Sequence, residues 1–137
     1  MPSSILALLL YAGWTLSLLT TIALMRCRLV LTGRRPAHAF LPSGDDVSPL
    51  SGRLCRAHAN CCENLPVFGA LVLTATITGH GQITDPAALC LLAARVGQST
   101  SHLISGRGHA VAVRFGCLML QIGIQAVWIV HLLLAAA

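Results

Sequence analysis

The sequence predicts an all-α membrane protein, a single domain built as an antiparallel bundle of four transmembrane helices. Three observations lead there. Of 137 residues, 55% are apolar and only 9% are charged, against about 25% charged in an ordinary soluble domain. The apolar residues gather into four stretches, 3–25, about 54–77, 86–104 and 110–134. At ~1.5 Å per residue each is roughly 28 Å or longer, enough for a hydrocarbon core of ~30 Å. The nine basic residues are all arginine, and most of those outside the apolar stretches lie between the first and second.

Taken in order, the first stretch reads as a retained span rather than a cleaved signal peptide. Met1-Pro-Ser-Ser carries no basic side chain, the apolar run is long, and it ends on Arg26 and Arg28 without a small-residue cleavage pattern. The 26–52 segment holds Gly33, Pro36, Pro42, Gly44, Asp45-Asp46 and Pro49, so it reads as a long structured loop of functional interest. The second span, starting near Leu54, has Arg56, His58, Asn60 and Glu63 in its first ten residues; that polar end must face protein or water. Asp85-Pro86 is a start signal for the third span, with Asp85 or Thr84 at the cap. Ser105-Gly106-Arg107-Gly108 turns the chain into the fourth. Tyr11, Trp14 and Trp128 read as interfacial anchors.

Arg26, Arg28, Arg34, Arg35 and Arg53 occupy the first loop and Arg107 the third, whereas 79–85 has none. The positive-inside rule therefore makes the first and third loops cytoplasmic and puts both termini on the opposite side. Topology accounts for most of the net charge of +5, which argues against nucleic acid as a partner. The six cysteines fall mostly within spans and read as small apolar residues. No disulfide framework is expected, because Cys27 and Cys55 flank a loop in a reducing compartment.

The chemistry concentrates in Arg56-Ala-His-Ala-Asn60-Cys-Cys-Glu63-Asn-Leu-Pro66. Helical rotation puts Arg56, Asn60 and Glu63 on one face, with Arg53 a turn earlier. A carboxylate inside the bilayer costs several kcal/mol unless it is paired or wet, so Glu63 marks a site. In the third span Arg95, near the midplane, needs an anion, and Gln98, Ser99 and His102 follow on its face. The fourth span adds Arg114, Gln121 and Gln125. The plainer alternative is that Glu63 pairs with Arg95 while the glutamines hold helices together. The excess of Arg56, Arg95 and Arg114 over Glu63 points instead to an anionic ligand at the cytoplasmic end. Cys55, His58, Cys61 and Cys62 do not converge on one helical face, so no metal site is expected.

The pattern R-A-x-x-N-x-x-E-x-x-P at 56–66, with Ala94-Arg95 in the third span, resembles the MAPEG family, membrane-associated proteins in eicosanoid and glutathione metabolism. The resemblance covers nearly the whole chain. It implies a homotrimer, with glutathione bound between neighbouring protomers as a co-substrate. It also implies a lipophilic small-molecule substrate entering from the lipid bilayer. It makes Arg114 the catalytic residue that stabilises the glutathione thiolate, with Arg107 as rival. It makes Arg34, Arg56, Asn60, Glu63, Arg95, Gln98 and His102 the cofactor-binding set, with Glu63 taking the ammonium. The implied activity is that of a transferase or peroxidase. Gln98 and His102 replace the aromatic or imidazole groups of well-studied members, and Tyr11 is the sole tyrosine. Those departures favour the alternative of a non-catalytic lipid- or thiol-binding member. A small multidrug transporter would need an acid in the first span, and 3–25 contains none.

Overall fold

The computed structural model describes residues 1–104 and 108–136, and among them the chain is all helical: α1 (Ser3–Leu31), a short 3-10 turn (Ala37–Ala39), α2 (Pro49–Ile77), α3 (Gly81–Ile104) and α4 (Gly108–Ala136). Three of the four helices, α1, α2 and α4, are long and apolar enough to cross a membrane. The polar run from Arg95 to His102 makes α3 less apolar, and α3, like α2, packs against all three other helices. Its polar groups are thereby shielded by protein. The outer faces of α1 and α4 are apolar and exposed, as at Leu9, Leu16, Ile122 and Leu133.

The helices run further than the apolar stretches. α1 continues through Arg26 and Arg28 to Leu31, so its 29 residues measure about 43 Å. Its end is a Schellman motif. Gly33 takes φ 67° and donates to the Val30 carbonyl at 2.9 Å, while Arg34 N–H donates to Leu29 at 3.0 Å. α2 ends the same way at Gly79. α2 begins at Pro49 rather than near Leu54, because Ser48 caps it by accepting the Ser51 N–H at 3.1 Å and Pro49 fits its first turn. The connection between α1 and α2 is consequently shorter than 26–52. It is pinned by Asp46, which pairs with Arg35 at 2.8 Å and accepts the Leu41 N–H, and by Phe40, which lies beneath both Arg26 and Arg35.

At the other end, Asp85 has a different role from the one its sequence position suggests. α3 starts four residues earlier, and the Asp85 carboxylate accepts the Ser4 hydroxyl at 2.6 Å and the Ser4 N–H at 2.9 Å. It thus caps α1, whose own Pro2 cannot.

The core is aromatic and amide-rich. Tyr11 packs tilted against Phe68 and Phe68 stacks on Trp128, with centroids 5.5 and 6.0 Å apart, tying α1, α2 and α4 together. Tyr11 and Trp128 are buried and do not serve as interfacial anchors. Below them Asn64, Gln98, Gln121 and Gln125 form a ladder across α2, α3 and α4. Gln121 donates to Gln98 at 3.0 Å and accepts from Asn64 at 3.0 Å, and Gln125 donates to Asn64 at 2.7 Å.

Candidate functional site

Pro66 lies inside α2 and has no N–H to give to the Cys62 carbonyl one turn earlier. Two of the carbonyls just before it acquire partners from other helices. Arg95 Nη1 donates to the Asn60 carbonyl at 3.1 Å, and the Tyr11 hydroxyl donates to the Cys61 carbonyl at 3.2 Å. Arg95 is 1% exposed, and its guanidinium lies 5.8 Å from the centre of the Tyr11 ring. The expected anion is absent: among the described residues the ion pairs are Arg35–Asp46 and Arg56–Asp45, and neither Arg95 nor Glu63 is in one. The Glu63–Arg95 pair is therefore not formed within the chain. The Asn60 carbonyl dipole and the Tyr11 ring face stand in for a carboxylate. Arg95 fixes the α2 segment that carries Asn60.

From Asn60 a polar chain runs out to α4. Asn60 lies 3.0 Å from His102 Nε2, and Arg114 Nη1 lies 3.4 Å from His102 Nδ1. Arginine can only donate, so Nδ1 is the acceptor and the neutral ring carries its proton on Nε2. A half-turn of the Asn60 amide, nearly isosteric, places its oxygen where it accepts that proton. The chain then has one polarity, from Arg114 through His102 to Asn60.

Beside it opens a cleft of about 610 Å³ lined by Asp45, Pro49, Arg53, Arg56, His102 and Arg114, within the range of small-molecule sites. Three guanidiniums face a single carboxylate. Arg56 and Asp45 pair at 3.1 Å, with both side chains about half exposed. The N-terminal turn of α2, at Pro49, adds the positive end of its dipole. The cleft can hold an anion of modest size.

Of the residues singled out by sequence, the cleft unites Arg56, His102 and Arg114, and Asn60 joins them through His102. Gln98 is turned into the amide ladder. Arg95 lies behind the site, and Arg34 lines a separate cleft. Glu63 is exposed on α2, with no hydrogen bond or ion pair among the described residues. Arg107 lies outside the described residues. Arg53, Asp45 and Pro49 are additions. Arg53 was visible as the start of the α2 stripe, whereas Asp45 reaches the cleft only because the loop folds back. Among the described residues no group of three or more His, Cys, Asp or Glu side chains could hold a metal.

The family model described as the MAPEG family matches residues 4–134, nearly the whole chain. The chain belongs to the MAPEG family. As a MAPEG protein it is membrane-bound, a four-helix bundle with a role broadly in glutathione or eicosanoid metabolism. No curated protein and no solved structure matches it.

Proposed function

We propose that this MAPEG protein is a glutathione-dependent transferase or peroxidase acting on lipophilic electrophiles. The observation that carries the reading is the cleft in which Arg53, Arg56 and Arg114 outnumber Asp45 beside His102. Glutathione brings two carboxylates, one ammonium and a thiol. Arg53 and Arg56 suit the carboxylates, and Asp45 suits the ammonium. A free thiol of pKa about 8.5 is mostly protonated at neutral pH, and a guanidinium beside the sulfur favours the nucleophilic thiolate. Arg114 has that role, with His102 and Asn60 setting its direction. The sulfur attacks the electrophilic carbon of R–X, the S–C bond forms as C–X breaks, and X departs with the electron pair; the thiol proton leaves to water at the mouth of the cleft. With a hydroperoxide the thiolate attacks the terminal oxygen, the O–O bond breaks and the alkoxide leaves as the alcohol after taking a proton from water; a second thiol then attacks the sulfenic acid so formed, closing the disulfide and releasing water.

Glu63 supports a homotrimer. It stands fourteen residues from either end of α2, exposed on the bundle surface. A carboxylate at mid-bilayer depth facing lipid costs several kcal/mol. A neighbouring copy covering that face removes it from lipid and borders the glutathione site. In this arrangement the lipophilic substrate comes from the bilayer and the cleft faces the cytoplasm.

Tyr11 favours a second reading. The only tyrosine is buried and donates to Cys61 O, so no phenol borders the cleft; a thiol- or lipid-binding member without turnover needs none. The test is conjugation of glutathione to a lipophilic aryl halide by the protein in bilayers. The transferase reading expects turnover that Arg114→Ala abolishes while Arg53→Ala raises the KM for thiol. Glutathione binding with no conjugation or peroxide reduction selects the non-catalytic reading.

A further inference from the structure

A second basic cleft holds Arg34, which the family resemblance counts with the glutathione-binding residues but which lies outside the Arg53–Arg56–Arg114 cleft that carries the proposed function. It holds about 380 Å³ and is lined by Arg28, Arg34, Thr32 and Ser48 with Met25, Leu29 and Val47. It shares no residue with the Arg53–Arg56–Arg114 cleft. Its electrostatics differ as well. Asp45 and Asp46 neutralise Arg56 and Arg35, but among the described residues no carboxylate lies within ion-pair distance of Arg28 or Arg34. Neither guanidinium has a hydrogen-bond partner among them. The Schellman turn at Gly33 fixes the backbone of Arg34 relative to Arg28. Ser48, on the far wall, caps the N-terminus of α2, whose dipole adds positive potential.

Depth supplies the occupant. α1 is about 43 Å long against a hydrocarbon core of ~30 Å, so its last two turns lie among lipid headgroups when Ser3 is at the opposite boundary. Met25 and Leu29, one turn apart on α1, line the cleft on its apolar side together with Val47. Two arginines above an aliphatic floor complement a phosphate carried on acyl chains.

We propose that the Arg28–Arg34 cleft is a binding site for an anionic phospholipid, its phosphate held by the two guanidiniums facing Ser48, its chains lying along Met25 and Leu29. The site anchors the α1 end and the start of α2, the segment from which Arg53 and Arg56 project.

The test is native mass spectrometry of the detergent-purified protein titrated with phosphatidylglycerol or phosphatidylcholine, for wild type, Arg28→Ala/Arg34→Ala, Arg34→Lys and Arg53→Ala. The expected result is a retained phosphatidylglycerol adduct, weakened roughly fivefold for each arginine removed and about thirtyfold for both, with Arg34→Lys close to wild type and Arg53→Ala unchanged. Equal retention of phosphatidylcholine, or equal binding by the double variant, overturns it. Millimolar inorganic phosphate that displaces phosphatidylglycerol completely would show a site for free phosphate and overturn the lipid assignment. Should the double variant fail to fold, loss of the adduct in Arg34→Glu with native helicity gives the same reading.

Discussion

Replacing Gln121 with leucine should destabilise the bundle by about 1–3 kcal/mol. The side chain is fully buried and makes two interhelical bonds, accepting from Asn64 on α2 and donating to Gln98 on α3, in addition to its own-helix bond to Cys117 O. In membrane proteins such bonds average ~0.6 kcal/mol and reach ~1.7, so two account for roughly 1.2 to 3.4. Leucine fills a similar volume, which lowers the upper figure, but it leaves the Gln98 oxygen and the Asn64 amide N–H without partners. A double-mutant cycle with Gln98→Leu isolates the shared bond, with an expected coupling of about 0.6–1.7 kcal/mol. The assay is unfolding in mixed micelles with increasing dodecyl sulfate, followed by circular dichroism. A coupling within about 0.3 kcal/mol of zero would refute the ladder as a stabilising connection between α3 and α4.

Three further outcomes are expected. Asp85→Ala should cost about 1 kcal/mol by uncapping α1. The Ser4 hydroxyl and N–H hold that carboxyl below the usual carboxylate range, so its contribution is complete above the unfolded-state pKa and fades as pH falls through the lower folded value; acid titration of stability should lose this component in Asp85→Asn. Gly33→Ala, at φ 67°, should cost about 1–2 kcal/mol and weaken phosphatidylglycerol binding, since Arg34 follows it; an unchanged melting temperature would contradict the Schellman assignment. Ser48→Ala should cost about 1 kcal/mol and Ser48→Gly only a few tenths, read in the same micelle unfolding assay.

What the sequence revealed and what it concealed follow from the reach of local rules. Apolar runs and loop arginines were enough for a four-helix membrane bundle, and the motif at 56–66 was enough for the family. Helical spacing placed Arg56, Asn60 and Glu63 on the same side of α2, and the structure then sends Asn60 inward to His102 while Glu63 stays exposed. The spacing of Arg95 and His102 likewise put them on one face of α3, but spacing gives no account of partners. Arg95 was expected to need an anion, and the Asn60 carbonyl and the Tyr11 ring face take its place. Gln98 looked like a ligand contact because polarity in a span marks either a site or a helix contact, and only Gln121 across the interface decides between them. Asp45 and Asp85 were out of reach, since each acts on a residue brought near by tertiary packing: Arg56 eleven positions away and Ser4 eighty-one. The α2 start was legible in Ser48-Pro49 and was overshadowed by the apolar boundary near Leu54.

In the proposed function Arg114 stabilises a thiolate in the basic cleft. The most direct measurement is glutathione binding to the purified protein by calorimetry with ultraviolet detection of the thiolate, for wild type and Arg114→Ala. The account predicts binding with a thiolate signal in wild type, and in the variant binding reduced only modestly with that signal lost. No binding at millimolar thiol, or a thiolate signal unchanged by Arg114→Ala, would contradict it.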